Sequence, residues 1–244
     1  MSLEKYISPL ELPTWMELIE EPSPLSAYDL RKKQIHRIFS IKAGMKPILV
    51  KANLRADATF LFESDPSITK IEARPAVVPL KAKGKKKVVM DFSVRYCNGD
   101  EELILMVYKK NLAESESGSY EPPHWSAVHT CCKAAGRHSR FMTDIEIKKG
   151  TNAITNSRRL LPLVRVAKVD PRPDISVCVF EAVAHTKSIT VNELRSVIPG
   201  KFVPRIEVEV ADLLHRGRIC AQLNNKLFSS NTPMYRTEND ENNF

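Results

Sequence analysis

Apolar positions along residues 53–63 (NLRADATFLFE) recur at helical spacing, with Leu54, Ala58, Leu61 and Phe62 on one stripe and Asn53 suited to cap the start. Asp65-Pro66 stops that helix, because the residue before a proline is pushed out of the helical region. Alternation then takes over. Residues 71–78 read as a strand, residues 87–96 as a second strand with Asp91 inside it, and residues 102–109 as a third that returns through the Asn98-Gly99-Asp100 turn. A serine- and glutamate-rich connector follows Asn111, then a helix over residues 126–137 and a strand over residues 139–144. Strand, helix, strand is the succession that a right-handed crossover in an α/β fold requires.

Beyond the Pro171-Arg172-Pro173 break the pattern changes. A short capped helix is expected from Ile189 to Leu194 and an amphipathic one over residues 203–216, ended by Gly217. Arg218 to Leu223, Leu227-Phe228 and Met234-Tyr235 read as a β wing. Before the first helix, Pro9, Pro13, Pro22 and Pro24 preclude a long helix and suggest an extended arm that could pack on a neighbour. Residues 31–39 alternate basic and apolar side chains and lead to Ile48-Leu49-Val50, as a charged strand edge or a DNA-backbone contact would.

The order helix, strand, Asp-bearing strand, hairpin, strand ending in x-x-Lys resembles the restriction-endonuclease-like PD-(D/E)XK core and, more narrowly, the TnsA-like endonuclease subunit of heteromeric transposases. The matching pieces are residues 62–68, residues 71–75, residues 90–94 and Val107-Tyr108-Lys109, with Thr143 to Ile147 and Asn156 to Leu161 extending the likeness. Leu214-His215-Arg216-Gly217-Arg218-Ile219 matches the family's L-x-x-G-x-I. The resemblance implies an α/β fold with a restriction-endonuclease-like core and a C-terminal winged helix-turn-helix domain. The expected organisation is an arm and basic segment over residues 1–50, a nuclease-fold domain over 51–165, a winged-helix-like domain over 166–236 and a disordered tail over 237–244. It also implies Mg2+- or Mn2+-dependent cleavage of 5′ strands at transposon ends, beside a partner transposase of the integrase superfamily and an AAA+ ATPase.

Hydrolysis of a phosphodiester needs carboxylates to hold hard divalent cations and a lysine to assist. Asp91 and Lys109 stand at two of the family positions, with Asp91 the candidate metal ligand, but Arg55 replaces the helix glutamate and Val107 the strand Glu or Gln. An arginine repels a cation and a valine cannot ligate one. Either cleavage is impaired or the chain binds DNA without cutting it, as a pseudoenzyme. Arg55 would then grip a phosphate, or simply reach solvent with the helix register shifted by a turn. Lys81, Lys83, Lys85, Lys86 and Lys87 crowd one hairpin tip, either as phosphate contacts or as a solvated turn.

Composition adds a general bias. Lys and Arg number 37 against 29 Asp and Glu, for a net charge of +8, which favours a polyanionic partner. Cys97, Cys131, Cys132, Cys178 and Cys220 form no C-x-x-C pair and are expected as thiols. No apolar run of about eighteen residues occurs and no signal-peptide pattern opens the chain, so a soluble, cytoplasmic protein without a membrane partner is expected. The C-terminal unit could grip DNA or dock on the transposase or ATPase, and a stand-alone winged-helix regulator remains the third reading.

Overall fold

A computed structural model describes residues 34–80, 86–114 and 118–237. Residues 1–33 of the expected arm and basic segment, the tail beyond 237, and Lys81, Lys83 and Lys85 lie outside them, as does the side chain of Lys86. The chain is mixed α/β, and none of its described helices is long and apolar enough to cross a membrane.

Strands β1 (Ile35–Ser40) and β2 (Lys46–Lys51) form an antiparallel hairpin that leads directly into helix α1 (Ala52–Ser64). Asn53 does not cap that helix. Lys51 holds the cap position, and Ala52 turns the chain into the helix with φ of +66° while its N–H donates to Gln34 O at 2.8 Å. The apolar stripe is present in Leu54, Ala58 and Phe62, joined by Ala56, whereas Leu61 is only half-buried.

The expected strand over 71–78 is two strands. Strand β3 (Ile68–Ala73) ends at Arg74, whose φ of +54° and following Pro75 redirect the chain into β4 (Val77–Leu80). The strand over 87–96 is likewise β5 (Lys86–Val89) and β6 (Phe92–Tyr96), interrupted at Met90-Asp91. The pair β4–β5 forms a separate two-stranded ribbon. Gly99, at φ +91°, turns β6 into β7 (Glu101–Val107), as its Asn98-Gly99 signal requires.

Lys109 falls outside β7, in a single 3-10 turn (Lys109–Asn111) held where the Asp144 carboxylate accepts from its backbone N–H at 2.7 Å. The expected connector contains a small hairpin of β8 (Ala113–Glu114) and β9 (Tyr120–Glu121). Helix α2 (Trp125–Ala134) then crosses to β10 (His138–Thr143), which pairs parallel to β7. The central sheet therefore runs β10-β7-β6-β3, with its antiparallel pairs at β7–β6 and β6–β3. On one face Leu54, Ala58 and Phe62 of α1 pack on Ile71, Phe92, Val94, Ile104 and Met106; on the other, Trp125, Val128 and Cys132 of α2 pack on Leu103 and Met90.

Helix α3 (Asp144–Lys149) opens on a capping box between Thr143 and Glu146, and α4 (Thr151–Val169) follows it. Helix α4 runs through residue 165, and Leu160 and Val164 pack in the C-terminal core with α5 (Pro173–Ala184), α6 (Val191–Val197) and α7 (Ile206–His215). Thr190 caps α6 through a second capping box with Glu193. Strand β11 (Ile219–Cys220) pairs with β12 (Tyr235–Arg236), whereas Leu227-Phe228 lie in a loop rather than a strand. Buried Asn156 of α4 holds that loop, donating to Leu223 O at 2.8 Å and Lys226 O at 2.9 Å and accepting from Phe228 N–H at 2.7 Å.

Candidate functional site

Asp91 sits at the break between β5 and β6, where ribbon and central sheet part. Its backbone N–H donates to Ile104 O at 2.9 Å and its carbonyl accepts from Arg74 N–H at 2.8 Å, so the residue is pinned from both sides. The side chain, 7% exposed, points toward α1. Its Oδ2 accepts from Met106 N–H at 2.8 Å and from Arg55 Nη2 at 3.1 Å, and its Oδ1 from Arg55 Nε at 2.5 Å. The helix register that places Arg55 opposite Asp91 is thus the observed one. Its guanidinium neither extends into solvent nor stands free for a phosphate; it forks onto the carboxylate.

Burial pushes the Asp91 carboxyl above the ordinary carboxylate range, against the opposing pull of Arg55, of the Met106 N–H and of Arg74. Removing Arg55 would therefore drive it higher still.

Around this pair lies a cavity of about 420 Å³ lined by Gln34, Leu49, Val50, Lys51, Ala52, Arg55, Arg74, Val89 and Asp91. Its charged lining is three cations to one carboxylate, and that carboxylate is already bridged. Ala52 and Arg74, with left-handed backbone, both line it, and such positions cost roughly 1–2 kcal/mol each for residues other than glycine.

Val107 and Lys109 are not brought here. Ile104 and Met106 face α1, so strand alternation sends Val107 with Leu103 and Leu105 toward α2. Lys109 is exposed in its 3-10 turn. The family-like spacing of these residues does not become convergence in space. A divalent cation does not fit the residues present: Asp91 is the one carboxylate of the wall, and both its oxygens are engaged. Among the described residues no group of three or more His, Cys, Asp or Glu side chains is placed to hold a metal ion.

No family model matches this chain, and no curated protein shows significant sequence similarity to it.

The ribbon extends the basic wall. Val89 lines the cavity, and Lys86 lies three residues back along β5, roughly 10 Å at the strand's rise. Exposed Lys87 stands on that ribbon too. Of the lysine cluster, Lys86 and Lys87 therefore share a strand with the cavity wall.

Glu63, two turns along α1 from Arg55, has a different task. Fully buried, it accepts from Ser40 Oγ and from Lys42 N–H at 3.3 Å, and it meets His215 Nε2 at 3.1 Å across the seam to α7. Beside it, Gly217 approaches Pro66 so closely that an added Cβ would lie 2.8 Å from the proline Cβ. Two separated motif stretches, around residues 62–66 and 214–219, thus meet as one joint. Sequence pattern marks each stretch but carries no signal that they touch.

Helix α7, third of the C-terminal helices, has no exposed residue. Buried Glu209 pairs with Arg205 at 2.9 Å, and buried Asp212 pairs with Arg216 and with Lys168 of α4 at 3.0 Å. Glu207, Val208 and His215 are only half-buried, and Glu207 pairs with Arg195 of α6 at 2.6 Å on the surface.

Proposed function

We propose that this chain is a TnsA-like subunit of a heteromeric transposase that binds transposon-end DNA and assembles with its partners without cutting. The observation that carries the reading is the Arg55–Asp91 pair, a fixed guanidinium at the carboxylate where the family would hold a cation. The α1-β3-β6-β7-α2-β10 succession, with sequential strand order and an acidic residue at the start of the second strand, is the arrangement expected of a restriction-endonuclease-like core. The matching motif stretches and the net charge of +8 support a DNA partner.

In this mechanism the cavity supplies positioning only. Arg55 and Asp91 neutralise each other, so Arg74, with Lys51 on the same wall, provides the positive charge for a backbone phosphate, and the lysine ribbon tracks the neighbouring phosphates. Such contacts fix orientation and carry no base readout. The C-terminal unit serves docking on the transposase or ATPase. A winged helix grips DNA by laying its third helix in the major groove, and α7 suits that poorly, with seven of its ten residues buried and the acidic Glu207 on its outer side.

The test is a gel-shift and cleavage assay on labelled transposon-end DNA with the cognate transposase and Mg2+ or Mn2+. Native chain should shift the DNA and leave its 5′ strands intact, with Arg74→Ala plus Lys51→Ala weakening the shift. Cutting by native chain that disappears in Asp91→Ala would refute the non-cutting reading; absence of any DNA or transposase binding would refute the identity.

A further inference from the structure

A second cavity, on the far side of α1, has an unrelated character. About 600 Å³ in volume, it lies between β1, α1 and α4, with a floor of Phe39, Phe60, Leu161 and Pro162 and a rim that includes Val166 and Val169. These two valines are 43% and 69% exposed, an unusual display of apolar surface on one helix face.

The cations on this groove divide into two kinds. Arg158 is committed to Asp57 at 2.5 Å and stacks on Phe60 at 5.1 Å. Arg165 lies 4.4 Å over Phe39, and Arg37 is exposed beside it; among the described residues neither has a carboxylate partner. Asp170, the acidic residue at the end of the groove, is taken by Arg205 at 3.1 Å. The unmet demand is for apolar groups flanked by carboxylates.

The chain carries such a segment. Residues 9–24, PLELPTWMELIEEPSP, hold Leu10, Leu12, Trp15, Met16, Leu18 and Ile19 with Glu11, Glu17, Glu20 and Glu21, and contain no Lys or Arg. Twelve residues separate Glu21 from Gln34, enough to span up to roughly 40 Å, and Gln34 immediately precedes the strand that lines the groove. We propose that the groove is the intramolecular docking site for the acidic, apolar segment around Trp15–Glu21, seated by its apolar side chains and held by Arg37 and Arg165. This is an interaction surface independent of the DNA-binding reading and would stand if that reading failed.

Tryptophan fluorescence of the full chain tests it. The protein has two tryptophans, and Trp125 is 8% exposed in the core, so the difference between native chain and Trp15→Phe isolates Trp15. Trp15 should emit blue-shifted and be protected from acrylamide. Arg37→Glu plus Arg165→Glu should shift the docked-to-free ratio by roughly tenfold toward free, as loss and reversal of two ion pairs at an apolar groove would. Adding Glu17→Lys, Glu20→Lys and Glu21→Lys to that variant should restore protection, which a misfolded variant could not do. Equal quenching of Trp15 in native and double-glutamate chains overturns the proposal. So does a loss of DNA affinity in the double-glutamate chain while Trp15 is open throughout, which gives the groove to nucleic acid. Protection that vanishes on dilution also overturns it, assigning the groove to the arm of a second copy.

Discussion

Replacing Arg55 with alanine leaves the Asp91 carboxylate 7% exposed with a single remaining donor, the Met106 N–H at 2.8 Å. Removing one partner of a fully buried ion pair costs about 3–5 kcal/mol; because Arg55 is itself 28% exposed and water can reach its place, the cost falls below that scale, to about 2–3 kcal/mol. For a domain of this size that is a fall in Tm of roughly 5–10 °C. The loss is pH-dependent. Burial already raises the folded pKa of Asp91 above its unfolded value, and deleting Arg55 raises it further, so the folded state holds its proton to higher pH than the unfolded chain. Stability contributed by such a group is full below the unfolded pKa and is lost as pH rises through the folded one.

Urea unfolding followed by circular dichroism should thus show a larger deficit for Arg55→Ala at about pH 8 than at about pH 5. Asp91→Asn should cost less than Arg55→Ala, because the stranded guanidinium can turn to solvent, and the double variant should recover part of the loss. An Arg55→Ala deficit below about 0.5 kcal/mol, or one equal at both pH values, would refute the pairing as described.

Lys42, buried with its Nζ donating to Phe62 O at 2.8 Å and to Asp65 O, has its pKa lowered by burial to about 8 from 10.5. The unfolded chain then keeps a proton that the folded chain releases. Stability of native relative to Lys42→Met should rise between pH 8 and 10.5, by up to about 3 kcal/mol in urea titrations, and a flat difference would contradict this. Gly217→Ala, at φ +70° and against Pro66, should cost about 2 kcal/mol and be read as a lower urea midpoint; a neutral result would mean the joint is loose. Replacing Lys81, Lys83 and Lys85 with alanine should flatten the slope of log K against log salt for DNA by about 0.9 for each phosphate no longer neutralised, with sequence preference unchanged.

Much of this architecture is legible in the sequence because local pattern and tertiary demand agree. The α1 stripe, the Asn98-Gly99 turn and the crossover to β10 all follow from periodicity and turn chemistry. The breaks at Arg74 and at Met90-Asp91 are only partly so: Pro75 and Asp91 are weak strand formers and mark an interruption, but β-favouring side chains resume on both sides and nothing local says that the backbone changes sheet. A domain limit near residue 165 suits the proline break that follows it, yet α4 continues to Val169 and its Leu160 and Val164 belong to the second core.

At the site, the opposition of Arg55 and Asp91 is readable as spacing, whereas the divergence of Val107 and Lys109 is not. Alternation from Ile104 and Met106 sends Val107 to the other face, and the Asp144 carboxylate holds the Lys109 backbone in a turn beyond the strand. Arg74 escapes sequence reasoning as a wall residue because the left-handed backbone at its position has no counterpart in the pattern of side chains.

On the proposed non-cutting reading, Arg55 occupies, chemically, the place of a divalent cation at Asp91. Mn2+ binding followed by the electron paramagnetic resonance of the free ion tests it most directly, in native chain, Arg55→Glu, and Arg55→Glu with Asp91→Asn. Native chain should show no site sensitive to Asp91→Asn, Arg55→Glu should gain one, and the added Asp91→Asn should remove it. Mn2+ bound by native chain and lost in Asp91→Asn would contradict the account.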